Sequence, residues 1–178
     1  LNTVAASTEP RLRVVFDTNV LLSLFVFADS RFAPLLHEVD AGRWLAYSSE
    51  RCFAEFQHVL SYSMFGLSAE QQEKATQAWQ QRFIQIDATP FDAAGIALPH
   101  CKDRDDQKFL ELTRDAQADW LITADKALLK LARRDKLRGL FRILTPEAAL
   151  ASLQKVGDGG TAQSDPNHSR GNLHNGPL

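Results

Sequence analysis

The chain has little of what several protein classes require. It carries two cysteines, Cys52 and Cys101, and one methionine in 178 residues. Two thiols are too few for a disulfide framework and lack the paired spacing of a zinc site, so both read as reduced cysteines of a cytoplasmic protein. No apolar run approaches the roughly 20 residues of a membrane-spanning helix, which argues against any place in a membrane. Nine Gly and seven Pro exclude a collagen-like or proline-rich fibre. Charge of neither sign dominates: the net is −2 and the pI about 6.2, so nucleic acid would have to be held by a local basic patch. The opening LNTVAASTEP has neither the basic start nor the apolar stretch of a secretory signal.

Familiar catalytic signatures are missing too. There is no G-x-S-x-G elbow for a nucleophilic serine and no G-x-x-x-x-G-K cradle for phosphates. The five histidines, His37, His58, His100, His168 and His174, stand apart, none with a partner at metal-ligand spacing.

What is present is an alternation of short β-rich runs and longer amphipathic ones. Arg13–Phe16, Trp44–Tyr47, Phe83–Ile86, Trp120–Thr123 and Phe141–Leu144 read as strands. Between them, helices are expected over Val20–Phe27, over Arg31–Ala41 with Gly42 closing it, and after the caps Ser48 and Ser49 through Phe53, Phe56, Val59 and Leu60. Ser68-Ala69-Glu70-Gln71 has the capping-box pattern and opens a helix toward Trp79. Further helices are expected over Asp105–Ala116, Lys126–Leu131 and from Pro146 to near Gln154. Strands separated by helices imply one α/β domain, a parallel sheet covered on both faces, over residues 13–155. Residues 1–12 read as an extension. Residues 156–178, rich in Gly, Asn, Ser, Asp and Pro, read as a disordered tail. The Trp residues lie in periodic apolar runs and read as core. Ser61–Leu67, between two helices, reads as an interface or as a buried helix connection, with preference for the latter.

Ligands of an open parallel sheet bind beyond the carboxyl ends of its strands. Asp17 directly follows the first strand, and Asp125 lies two residues after Thr123 on the fourth. Asp103-Arg104-Asp105-Asp106 stands at a helix entry, and Glu55 lies on a helix one turn or so after Glu50. Singly, Asp17 and Asp125 serve equally well as helix N-caps, the Asp103–Asp106 group as a solvated helix entry and Glu55 as a surface residue. Together, carboxylates from distant segments at one sheet edge would repel unless a cation held them. Oxygen-only donors select Mg2+ or Mn2+ rather than zinc.

The segments RVVFDTNVLLS, AEFQHVL, CKDRDDQKFLEL and ADWLITADKALL, in that order, closely resemble the PIN-domain nuclease pattern. They are most similar to its branch of toxin components from bacterial toxin–antitoxin pairs. The resemblance implies a three-layer α/β/α sandwich and metal-dependent endoribonuclease activity. It also implies four catalytic acidic positions, which fall on Asp17, Glu55, Asp106 and Asp125. Asp17, Asp106 and Asp125 are the implied metal ligands. Asn19 and Thr123 match residues supporting the first and fourth carboxylates. Gln107 stands where some relatives carry Asp, so the third ligand is Asp105 or Asp106, with Asp106 favoured as nearer the helix. One ion or two both fit this pattern. The implied partners are RNA, an antitoxin protein and a second copy of the chain. Lys126, Lys130, Arg133 and Arg134, continued by Lys136, Arg138 and Arg142, form the densest basic run. They read either as an RNA-backbone contact or as a solvated face. Two other classes remain: a PIN-like RNA-binding or scaffold domain without activity, and an aspartyl-phosphate hydrolase. The latter is weak, because Asn19 replaces the second Asp that its proton transfer needs.

Overall fold

The computed structural model describes residues 10–87 and 96–157, with side chains through 154. The expected disordered tail falls almost wholly outside the described residues, as does most of the expected N-terminal extension.

Five strands form the sheet: β1 (Leu12–Phe16), β2 (Trp44–Ser48), β3 (Phe83–Gln85), β4 (Trp120–Ile122) and β5 (Arg142–Leu144). Their order is β3-β2-β1-β4-β5 and every pairing is parallel. Seven helices connect and follow them: α1 (Thr18–Phe25), α2 (Ala33–Asp40), α3 (Glu50–Leu60), α4 (Ala69–Gln80), α5 (Gln107–Asp115), α6 (Lys126–Leu131) and α7 (Pro146–Gly157).

Period-two alternation along the strands decides the layers. Val14 and Phe16 of β1, Trp44 and Ala46 of β2 and Ile122 of β4 point into one core, with α1, α2, α3, α4 and α7. Val15, Tyr47, Leu121 and Ile143 point into the other, with α5 and α6. The fold is therefore a three-layer α/β/α sandwich, and the central strand β1 is enclosed on both sides. Trp79 lies sandwiched between Phe53 and Phe83, and Trp44 meets Trp120 edge-on, as expected of core tryptophans.

Local chemistry sets the element ends. Ser49 caps α3 through the Cys52 amide, and Ser68 and Gln71 complete the capping box of α4. Helix α2 starts two residues later than its periodicity suggests. Asp29 accepts from the backbone and guanidinium of Arg31, a turn that holds the chain out of the helix until Pro34 opens it. Gly42, at φ +70°, ends the same segment, as the sequence anticipates.

The Ser61–Leu67 connection departs from expectation. It is a surface turn rather than a buried link, with a short 3-10 turn at Ser63–Phe65 and Met64 81% exposed. Gly66, at φ +59°, reverses the chain there, and the segment is anchored from below by Phe65 against Phe27.

The order β3-β2-β1-β4-β5 places β1 and β4 side by side where the winding reverses. Their carboxyl ends flank a crevice, the usual ligand position of a doubly wound sheet.

Candidate active site

Asp17 follows β1 and caps α1. Its Oδ1 accepts from the Val20 amide at 2.8 Å, and its Oδ2 accepts from the Thr123 hydroxyl. The residue is 2% exposed, and burial raises its pKa, with a further push from Asp125 and an opposing pull from Thr123 and the amides of Val20 and Ala124. Thr123, fully buried after β4, does two things at once: it donates to Asp17 and accepts from the Asp125 amide at 2.9 Å. One hydroxyl thus ties the end of β1 to the end of β4.

Asp125 caps α6. Its Oδ1 accepts from the amides of Ala127 at 2.6 Å and Leu128 at 3.0 Å, and among the described residues Oδ2 has no hydrogen bond. Cap and site residue are not alternatives here, since the two oxygens divide the roles.

Asp106 stands at the entry to α5 and makes no capping bond. Its pKa is pushed up to about 6, first by desolvation, then by the charges of Asp125, Asp103 and Asp17, against a pull from Lys108. Carboxylates from three segments therefore feel one another at this edge. Asp105, by contrast, is exposed, its amide donating to Asp103 Oδ1 at 2.9 Å. Of the two neighbours, the one facing Asp17 and Asp125 is Asp106.

Glu55, on α3, is brought to the same edge but is already engaged. Its Oε1 accepts from the Thr18 hydroxyl at 2.5 Å, and its Oε2 pairs with the Lys108 ammonium. Lys108, 9% exposed, also donates to the carbonyl of Asp105 at 2.7 Å. Sequence reasoning missed both Thr18 and Lys108. A signal for Lys108 existed: it lies one turn before Leu112, on the buried stripe of α5.

Asn19 is not part of this cluster. It is exposed, and no bond joins its side chain to Asp17. The first turn of α1 carries it to the solvent side, and Thr123 supports the carboxylate instead. Gln107, the departure from the family pattern, has a structural task. Its Oε1 accepts from the Cys101 amide at 2.7 Å and its Nε2 donates to the Pro99 carbonyl at 3.3 Å, fixing the loop that walls the site.

The donor set is all carboxylate oxygen, mutually repelling and partly free of hydrogen bonds, which fits the chemistry of a hard divalent cation. The side chains do not close on a shared point. Among the described residues no three His, Cys, Asp or Glu side chains are grouped to hold an ion.

An open hollow lined by Lys102, Asp103, Arg104, Asp106, Asp125 and Ala127 gives access to this edge. Beyond the same loop, Arg133, Arg134 and Lys136 line a second hollow of about 530 Å³ with Pro99, His100, Leu131 and Asp135. Lys126 and Lys130 are exposed on α6, between the two hollows in the chain. No helix among the described residues is long and apolar enough to cross a membrane.

The family model of the PIN domain matches residues 13–127. No curated protein sequence matches the chain. Among solved structures, it is similar to VapBC2 from Rickettsia felis, determined bound to a DNA fragment from the promoter, with 15% identity and a TM-score of 0.51. That likeness covers 75% of this chain and 98% of the other. It is also similar to the PIN domain endonuclease Utp24, at 18% identity and a TM-score of 0.44, over 78% of this chain and 88% of that one. At these identities the likeness concerns the fold.

Proposed function

The chain belongs to the PIN-domain family, and from that premise we propose that it hydrolyses RNA phosphodiester bonds internally with the help of Mg2+ or Mn2+. The observation that carries the reading is the gathering of Asp17, Asp106 and Asp125 at the β1–β4 switch point, with Asp106 pushed up to about 6 by desolvation and then by its like-charged neighbours.

The ligands of the ion are Asp17, Asp106 and Asp125. A bound divalent ion supplies a water acidified enough to ionise near neutral pH and offsets charge developing on phosphorus. The protein's own groups do the rest. Thr123 holds Asp17 Oδ2 in one orientation, and the α6 amides hold Asp125 through Oδ1, which leaves its Oδ2 for the ion. Asp106, which makes no capping bond, is the carboxylate that turns toward the ion or orients the attacking water. Lys126, Lys130, Arg133 and Arg134 hold the phosphates of the RNA strand as it leaves the crevice. Residues 13–155 form the nuclease unit.

We assign the biological role as the cytoplasmic toxin of a toxin–antitoxin pair, with an antitoxin protein and a second copy of the chain as partners. Its support is the sequence resemblance together with the fold shared with a VapBC2 chain. One observation favours a second reading, a PIN-like RNA-binding or scaffold domain without activity: no three of the acidic groups are closed around a point.

RNA cleavage with added Mn2+ or Mg2+ separates the two. Cleavage is expected to stop with EDTA and to fall at least ~100-fold in Asp17→Asn, the scale of losing one electrostatic stabiliser. Asn at position 17 keeps an oxygen for the cap, and its amide nitrogen can donate to the Thr123 hydroxyl in place of accepting from it, so the fold should survive. Cleavage that persists through both treatments rejects the metal–carboxylate reading, and ion binding without cleavage of any RNA supports the scaffold.

A further inference from the structure

The site divides into two halves that behave differently. In one, Asp17, Asp106 and Asp125 interact as like charges, and among the described residues none of the three makes an ion pair, although Lys102 and Arg104 line the same hollow and Lys108 pulls on Asp106. In the other, Glu55 is saturated. Thr18 donates to one oxygen, Lys108 pairs with the other, and the same ammonium donates to the Asp105 carbonyl. The chain Thr18–Glu55–Lys108–Asp105 joins the start of α1, the middle of α3 and the entry of α5. Thr18 is next to Asp17 and Asp105 next to Asp106, so this strut sets the distance between two of the proposed ligands.

Two-ion phosphodiesterases hold their ions about 3.5–4 Å apart, which requires carboxylates enough to offset both. Here the fourth carboxylate already has a cation. We propose that Lys108 is a built-in counter-ion that takes the place of a second metal at Glu55, so the site binds a single divalent ion. Glu55 is then a positioning residue rather than a ligand. Lys108 is suited to this: 9% exposed, its ammonium 5.2 Å from the centre of the Phe109 ring and bonded on two sides, it cannot be displaced without leaving a buried charge unpaired. The inference rests on the metal-dependent reading above.

The test counts ions rather than turnover. Mn2+ is titrated into the full chain, with calorimetry for the stoichiometry and electron paramagnetic resonance to distinguish isolated from spin-coupled ions; circular dichroism checks each variant's fold. The wild type is expected to bind one Mn2+ with an isolated-ion spectrum. Lys108→Met frees the Glu55 carboxylate and should take up a second, spin-coupled ion. The charge-balanced pair Glu55→Gln with Lys108→Met should return to one, and Lys108→Arg should stay at one. Should Lys108→Met fail to fold, Glu55→Gln alone decides: retention of the single ion supports the positioning role, and its loss overturns it. Two ions in the wild type, or a folded Lys108→Met that stays at one, also overturn the inference while leaving the metal-dependent nuclease intact. A wild type that binds none rejects the metal-dependent reading itself, and this inference with it.

Discussion

Thr123→Val is the sharpest probe of how the site is held. The two side chains have nearly the same shape, and valine suits a strand end, so what changes is the hydroxyl. That hydroxyl is fully buried and makes two bonds, donating to Asp17 Oδ2 and accepting from the Asp125 amide at 2.9 Å. A bond to a charged group is worth about 1.5–3 kcal/mol and a neutral one about 0.5–1.5 kcal/mol. Valine leaves both partners short in a site where Asp17 is 2% exposed and water cannot replace the donor. The expected loss is about 2–4 kcal/mol, read as a fall of about 1–2 M in the urea midpoint for an m-value of about 2 kcal/mol/M. Thr123→Ser keeps the hydroxyl and should lose less than half of this. The sign with pH is fixed as well. The bond favours ionised Asp17, so the penalty of valine should shrink as pH falls through the folded pKa of Asp17, which burial raises above its ordinary value. A midpoint change below about 0.5 M at neutral pH, or a penalty that grows on acidification, would refute this account of the buried triad.

Three further outcomes follow from other parts of the site and its surroundings. Asp106 goes from about 3.8 unfolded to about 6 folded, so the native state binds the extra proton and metal-free stability should fall as pH rises through that window. In EDTA, Asp106→Asn should gain in urea midpoint over the wild type from pH 4 to pH 7 and hold a constant lead above it; a lead that narrows with rising pH contradicts the cause given. Charge removal at Arg133 and Arg134, which line the second hollow, should weaken RNA binding and lower the salt slope by about one unit for each phosphate no longer neutralised; an unchanged slope makes them a solvated face. Gln107→Leu removes both ties to the Pro99–Cys101 loop, so the Cys101 thiol, 8% exposed, should react faster with a soluble disulfide reagent while Cys52 does not; equal rates would show the loop is held by other bonds.

Much of the fold could be read from residue patterning because the forces concerned are local. Alternation in RVVF and WLIT marks the two faces of β1 and β4, and Ser49, Ser68 and Gln71 announce helix starts through bonds to their own first turns. Periodicity misplaced the starts of α2 and α5 by two residues, since it cannot see a side chain competing for a backbone amide. Asp29 does this ahead of α2 and Asp103 ahead of α5. The burial of Ser61–Leu67 was misjudged for a similar reason: apolar composition says nothing of a left-handed glycine that turns the segment outward. At the site, Asp17, Asp106, Asp125 and Thr123 were legible because each sits at a strand end or helix entry, where topology alone brings residues together. The partnership of Glu55 with Lys108 spans two helices joined by no strand pairing, and only the packing of α3 against α5 reveals it.

The reading of Asp17 and Asp125 as either caps or ligands contains a false choice, and its resolution explains how this edge tolerates its charge. Each residue caps a helix with Oδ1, so the positive end of a helix and fixed amides offset part of its negative charge before any ion arrives. Asp106 has no such bond, and its pKa is driven to about 6. The folded chain therefore gives backbone donors to two of the carboxylates, although burial still raises the pKa of Asp17, and no capping bond to the third. That difference sets Asp106 apart from the two capping residues. Asp106→Asn should therefore relieve the metal-free protein at neutral pH, and so should Asp17→Asn, because the folded chain raises the pKa of both; a rise in urea midpoint in EDTA is the check.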